Sequence, residues 1–63
     1  MTPATFKAIR KRSGLSARAL AAMLRIGDDR TIRRYETGER AVSGPVSILM
    51  EMLDAGELPD RYR

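Results

Sequence analysis

The segment 15–38 limits the possible folds of this chain most strongly, because it predicts two short helices joined by a tight turn. Ser16 is a good cap for a helix N-terminus, and the apolar spacing that follows it is helical. A turn is expected to be centred on Gly27, and Asp28 can then cap a second helix. That helix should end next to Gly38, because glycine adopts a left-handed backbone at little cost.

The second of these helices, over about residues 28–37, has two chemically different faces. At about 100° per residue, its side chains separate into a charged face and a mainly apolar face. The charged face carries Asp29, Arg30, Arg33, Arg34 and Thr37, and the opposite face carries Thr31, Ile32 and Tyr35. A short helix that buries one face and presents three guanidinium groups on the other is suited to an anionic groove.

Two further helices flank this pair, so the predicted fold class is all-α, a compact domain of four helices. Thr2 and Pro3 are typical of a helix start, and the first helix is expected over residues 3–13. A Gly-Pro pair and the later Gly56 predict a last helix over residues 44–55. The residues expected to face the core are Phe6, Ile9, Leu15, Leu20, Ala21, Leu24, Ile26, Val46, Leu49, Met50 and Leu53.

A chain of 63 residues has room for one small domain. We assign residues 1–56 to this domain and residues 57–63 to a tail that is at least partly non-helical. A domain of this size is only marginally stable alone. The chain has no cysteine and no histidine, which excludes disulfides and the usual zinc ligands as a source of stability. Compact helix packing or a second subunit remains.

The residue types also argue against an enzyme. Without histidine or cysteine, the chain lacks the commonest general base and the commonest thiol nucleophile, and it has no paired-carboxylate or phosphate-loop motif. We therefore expect no catalytic site, no metal and no cofactor. No apolar run approaches the roughly 18 residues that cross a bilayer, and no signal-peptide pattern is present. We expect a cytoplasmic protein without membrane contact.

The positive charge of the chain is concentrated in its first two thirds. Residues 1–40 hold ten of the twelve basic residues and four of the eight acidic residues, a net charge of +6. Residues 41–63 have a net charge of −2. Ten of the twelve basic residues are arginine, which suits bidentate contact with phosphate or guanine. Charge alone is equally compatible with a solvated basic surface.

Several short fragments follow one another in an informative order and spacing. They are F-K-x-I-R from Phe6, G-L-S from Gly14, A-L-A-x-x-L from Ala19, T-I-R-R-Y-E-x-G-x-R from Thr31, and Pro45. Together these fragments resemble the lambda repressor/Cro-like helix-turn-helix family, also called the XRE family, and the resemblance covers roughly residues 5–53. The resemblance implies a bacterial or phage-encoded domain that binds operator DNA as a dimer, with the second motif helix in the major groove.

The resemblance also implies which residues contact double-stranded DNA. Base edges would be contacted from the start of the second motif helix, by Asp29, Arg30, Arg33 and Arg34. Phosphate contacts are expected at Ser16, Ala17, Arg18, Thr37, Arg40 and Ser43. Many members pair an arginine of the first helix with a glutamate late in the recognition helix, and the corresponding residues here are Arg10 and Glu36.

Three departures from the family pattern bear on these assignments. Many members have glutamine at the position of Ala17, so a side-chain contact to DNA is missing there. The turn is one residue longer than usual because of Gly27, which leaves the register of residues 28–30 open by one position. The fifth helix that many members use for dimerisation has no room in this chain.

The expected function is sequence-specific transcriptional regulation, with repression as the expected mode. The alternative is an antitoxin-like or partner-binding module on the same fold, with the acidic C-terminal third as the partner surface. We expect a homodimer, since the last helix carries apolar residues outside its core stripe. The predicted interface residues are Ile48, Met52, Leu58 and Tyr62. Alternatively, the tail folds back over Ile48 and Met52 within one chain.

Overall fold

The computed structural model describes residues 1–62 and contains four α-helices and one short 3₁₀ helix. The elements are α1 (Pro3–Arg12), α2 (Ala17–Met23), α3 (Asp29–Thr37), α4 (Gly44–Ala55) and the 3₁₀ helix (Asp60–Tyr62). The predicted all-α, four-helix fold is therefore confirmed. None of the helices within residues 1–62 combines the length and apolar character needed to cross a membrane.

Each α-helix is preceded by a residue whose side-chain oxygen accepts a hydrogen bond from a backbone amide of the first turn. The capping residues are Thr2, Ser16, Asp28 and Ser43. Such caps satisfy amides that have no partner within the helix, and each contributes about 1 kcal/mol. The helix starts are therefore fixed locally, as the sequence predicts for the first three helices.

The predicted helix ends need two corrections. First, α1 ends at Arg12 rather than at Ser13, because Ser13 forms the C-cap and Gly14 turns left-handed at a φ of 71°. Second, the turn after α2 is not made at Gly27. Its left-handed residue is Arg25, with a φ of 59°.

The hydrogen bonds of this turn explain why Arg25 has that conformation. The Ile26 amide donates to the Ala21 carbonyl at 2.9 Å, and the Arg25 amide donates to the Ala22 carbonyl at 3.1 Å. This pair of bonds closes a helix end only when the residue after the cap is left-handed. Leu24 is the cap, so the residue that must be left-handed is Arg25 and not Gly27.

The core is built from residues of all four α-helices. Its buried members are Phe6, Ile9, Leu20, Ala21, Ile32, Tyr35 and Met50. The rings of Phe6 and Tyr35 lie 5.3 Å apart between centroids, at an interplanar angle of 58°, within the range of favourable aromatic pairs. Since α3 packs against both α1 and α2, the apolar face of α3 is held in place from two sides.

The tail packs against its own chain. Leu58 is only 4% exposed, and it borders a small cavity of about 210 Å³ together with Met23, Leu24 and Leu49. The prediction that Leu58 lies at a dimer surface is therefore corrected, because its side chain is already covered. The alternative in which the tail folds back over Ile48 and Met52 holds only in part. The tail does pack on its own chain, but Ile48 remains 58% exposed and Met52 is half-buried.

Candidate nucleic-acid interface

The α3 helix separates its buried face from its charged face as the sequence predicts. Ile32 is fully buried and Tyr35 is 4% exposed. On the other side of the helix, the side chains of Arg30 and Arg33 are 79% and 70% exposed, and Arg34 is exposed as well. Packing of the apolar face against the core therefore directs the arginine face toward solvent. None of the three arginine side chains contributes to the core.

Two ion pairs lie at the start and on the exposed face of α3, and neither is among the pairs predicted from the sequence. Asp29 and Arg33 pair at 2.9 Å between Oδ2 and Nη2, and Asp28 and Arg30 approach to 3.9 Å between Oδ2 and Nε. The i,i+4 spacing of the first pair is a signal that could have predicted it. Within residues 1–62, Arg34 forms no ion pair. The three arginines thus differ in their freedom to contact a new anion.

The start of α2 offers two exposed polar side chains. The Oγ of Ser16 accepts a hydrogen bond from the Ala19 amide at 3.0 Å, so its hydroxyl proton is free to point elsewhere. Arg18 is exposed, whereas Ala17 is half-buried and packs against the core. Of the three predicted phosphate-contacting residues here, Ala17 could contribute only its backbone.

The segment after α3 is ordered by contacts between backbone and side chains. The hydroxyl of Thr37 donates to the Arg34 carbonyl at 3.2 Å. Gly38 is left-handed at a φ of 84°, and a Cβ at this position would lie 3.6 Å from the Pro3 Cγ. This is an ordinary van der Waals distance, so the left-handed φ rather than a lack of space favours glycine at this position. Arg40 is exposed in the loop that follows.

At the end of this loop, Ser43 caps α4. Its Oγ accepts a hydrogen bond from the Val46 amide at 3.4 Å. The side chain of Ser43 is exposed, and its hydroxyl proton is not committed by this bond. Ser43 is therefore placed to donate to a further acceptor.

A largely buried ion pair between Arg10 and Glu36 joins α1 to the end of α3. Arg10 Nε donates to Glu36 Oε2, and Arg10 Nη2 donates to Glu36 Oε1 at 3.2 Å. Arg10 Nη1 also donates to the Leu15 carbonyl at 3.0 Å. The two side chains are 15% and 10% exposed. One guanidinium therefore fixes the position of α3 relative to α1 and to the chain that enters α2.

A second bidentate ion pair, between Arg12 and Asp54, is not predicted by the sequence. Arg12 Nη2 lies 3.0 Å from Asp54 Oδ2, and Arg12 Nε lies 3.2 Å from Asp54 Oδ1. The side chains are 58% and 39% exposed. No local pattern predicts a pair between residues 42 positions apart, so only the packing of α1 on α4 could have revealed it.

A protein-family model described as helix-turn-helix matches residues 6–53. The match covers most of the chain, and the chain belongs to this helix-turn-helix family, of the lambda repressor/Cro-like (XRE) type. Membership indicates a DNA-binding domain of a transcription regulator, on a fold that is generally non-enzymatic. No curated protein and no solved structure matches the chain.

Proposed function

We propose that this protein is a sequence-specific transcriptional repressor that places α3 in the major groove of operator DNA. The observation that carries the proposal is the exposed arginine face of α3, opposite the buried Ile32 and Tyr35. The major groove of B-DNA is about 12 Å wide and admits an α-helix, with base contacts made from its first turns. When the operator overlaps a promoter, such binding excludes RNA polymerase and represses transcription.

The bases are read along the exposed face of α3, from Asp29 in its first turn to Arg34 in its last turn. Arg30 and Arg34 can each donate two hydrogen bonds to the O6 and N7 of guanine, so the half-site contains G·C pairs. Asp29 holds Arg33 through their ion pair, which orients the guanidinium of Arg33 toward a base edge or a phosphate. The Asp29 carboxylate itself can accept from a cytosine amino group. These four residues form the proposed base-contacting set.

The phosphate contacts come from segments on either side of α3. They involve the side chains of Ser16, Arg18, Arg40 and Ser43 and the backbone of Ala17. Thr37 joins this set only when its hydroxyl turns from the Arg34 carbonyl, to which it donates here, toward a phosphate oxygen. Contacts of this kind supply much of the affinity without sequence preference. Each phosphate contact also makes the affinity fall more steeply as the salt concentration rises. The affinity for any duplex should therefore fall steeply with ionic strength.

Selection of binding sites from random duplexes tests the base contacts. Arg30→Ala and Arg34→Ala are each expected to cost about 1–3 kcal/mol at the selected site and to relax preference at one base pair. Arg40→Ala should instead weaken all sequences alike. Arg61→Ala removes the same charge from the tail and serves as the matched control. An unchanged consensus for both α3 variants would refute this assignment of α3.

The same experiment separates direct DNA binding from the partner-dependent alternative. The purified protein alone should bind a defined duplex, because all the proposed contacts come from its own residues. A protein that binds DNA only after addition of another protein would contradict the proposal.

The proposed repressor acts as a homodimer joined through α4. Ile48 is 58% exposed on this helix, and Met52 and Tyr62 are half-buried. The C-terminal third is net acidic, so contact there keeps the two basic surfaces apart. A two-fold contact would set two recognition helices about 34 Å apart, which matches two half-sites one DNA turn apart. The proposed interface centres on Ile48 and Met52, with Tyr62 near its edge.

Sedimentation with and without operator DNA tests the dimer. Ile48→Glu should shift the protein to the monomer and abolish cooperative binding to paired half-sites, because it places a desolvated charge in the contact. Ala4→Glu adds the same charge to an exposed position of α1 and should leave assembly unchanged. A wild type that stays monomeric at high concentration and binds half-sites independently would rule out the dimer.

A further inference from the structure

A groove of about 690 Å³ lies outside the proposed DNA interface. It is bordered by the segment that follows α1, by α2 and the turn after it, by the end of α4 and by the 3₁₀ helix. None of its lining residues belongs to α3. Its apolar side includes Leu15, Met23 and Leu53, which are half-buried. Sites for small molecules have volumes of roughly 300–1,000 Å³ and are mostly apolar with a few polar groups. The groove has the size and lining of such a site.

Two arginines converge on one aromatic ring at the edge of this groove. The Cζ of Arg25 lies 5.8 Å from the ring centroid of Tyr62, and the Cζ of Arg61 lies 5.0 Å from it. Neither arginine forms an ion pair with an acidic residue within residues 1–62. Two guanidinium groups beside one ring give this edge of the groove a positive potential, which attracts an anion. Guanidinium groups bind carboxylates with paired hydrogen bonds.

The backbone of Arg25 is a separate indication. Arg25 is left-handed at a φ of 59°, where a side chain costs conformational energy that glycine does not. At the three other left-handed positions within residues 1–62 the chain has glycine, namely Gly14, Gly38 and Gly56. The turn after α2 would form more easily with glycine, yet it carries an arginine whose guanidinium faces Tyr62. Strained residues of this kind are typical of functional sites.

We propose that the groove binds a small amphipathic anion, a carboxylate or sulfonate with an apolar body. The anionic group lies between Arg25 and Arg61, and the apolar body lies against Leu15, Met23 and Leu53. Among residues 1–62 no acidic residue lines the groove, and Asp54, which follows the lining residue Leu53, is already paired with Arg12. This proposal does not rest on DNA binding.

Titration with 1-anilinonaphthalene-8-sulfonate tests the site, because this probe combines an anionic group with an aromatic body and fluoresces on binding. The folded protein should bind one probe per chain, with saturation. Decanoate should displace the probe, whereas decanol, which has the same chain without the charge, should not. Arg61→Gln and Arg25→Gly should each weaken probe binding on the order of tenfold. Arg33→Gln removes the same charge from α3 and should leave it unchanged.

The Arg25→Gly variant also separates a binding role from a purely structural one. It should melt no lower than the wild type, because relief of the left-handed backbone offsets the lost contact with Tyr62. Weaker probe binding in a protein of undiminished stability would support the site. The proposal is overturned if probe binding does not saturate, if decanol competes as well as decanoate, or if Arg25→Gly and Arg61→Gln bind as the wild type does.

Discussion

Arg10→Met is expected to lower the free energy of unfolding by about 3 kcal/mol. The substitution leaves the Glu36 carboxylate, only 10% exposed, without its partner, and it also removes the donor to the Leu15 carbonyl. Breaking a buried pair costs about 3–5 kcal/mol, and we expect the lower end because a small part of both side chains still reaches water. Chemical denaturation of the purified variant measures the change.

The exposed pair of Arg12 and Asp54 provides the matched control. Arg12→Met also breaks a bidentate pair between α1 and another helix, but its partners are 58% and 39% exposed, so the cost should stay under about 1 kcal/mol. In the double variant Arg10→Met with Glu36→Gln, the loss should be smaller than the sum of the single losses. Small, additive losses would show that burial of Arg10 and Glu36 contributes little to stability.

Ile32→Ala is expected to cost about 3 kcal/mol of unfolding free energy. Ile32 is fully buried in the centre of α3, and truncation both loses apolar burial and leaves a cavity between α3 and its neighbours. In a domain of this size such a loss is a large part of the total stability. The variant should melt at a much lower temperature in a thermal denaturation experiment. Its DNA binding should be lost only at temperatures at which it unfolds, because Ile32 contacts no base.

Ile48→Ala is the same chemical change at an exposed position. Ile48 is 58% exposed on α4, so the free energy of unfolding of the monomer should change by less than about 0.5 kcal/mol. Comparison of thermal melts of the two variants at low protein concentration, where monomers prevail, gives the difference. Equal losses would mean that the two isoleucines are buried alike in solution.

The sequence predicts those parts of this fold that local chemistry determines. The caps at Thr2, Ser16 and Asp28 depend on contacts within three residues, and the two faces of α3 follow from helical periodicity alone. Both are therefore readable without knowledge of the tertiary structure. The separation of Ile32 from the arginines was predictable for the same reason.

The remaining features depend on contacts between distant segments. The burial of Leu58 requires knowledge of the direction in which the tail leaves α4, and the pair of Arg12 with Asp54 requires the packing of α1 on α4. The sequence predicts a turn centred on Gly27, whereas the left-handed residue of the turn is Arg25. The position of the left-handed residue is determined instead by where α2 ends, and the hydrogen bonds from the Arg25 and Ile26 amides to the last turn of α2 fix that end. Arg10 and Glu36 were matched by family resemblance, since a spacing of 26 residues carries no local signal.

The division of α3 into two faces has a consequence for how such proteins diverge. The side chains that hold the helix, Ile32 and Tyr35, are distinct from the exposed arginines that are proposed to read DNA. Substitutions on the exposed face cost little folding energy, so mutation can exchange one operator for another without first passing through an unstable protein. A duplicated copy of this domain could acquire a new target through changes at three or four surface positions of one helix, while its scaffold stays unaltered.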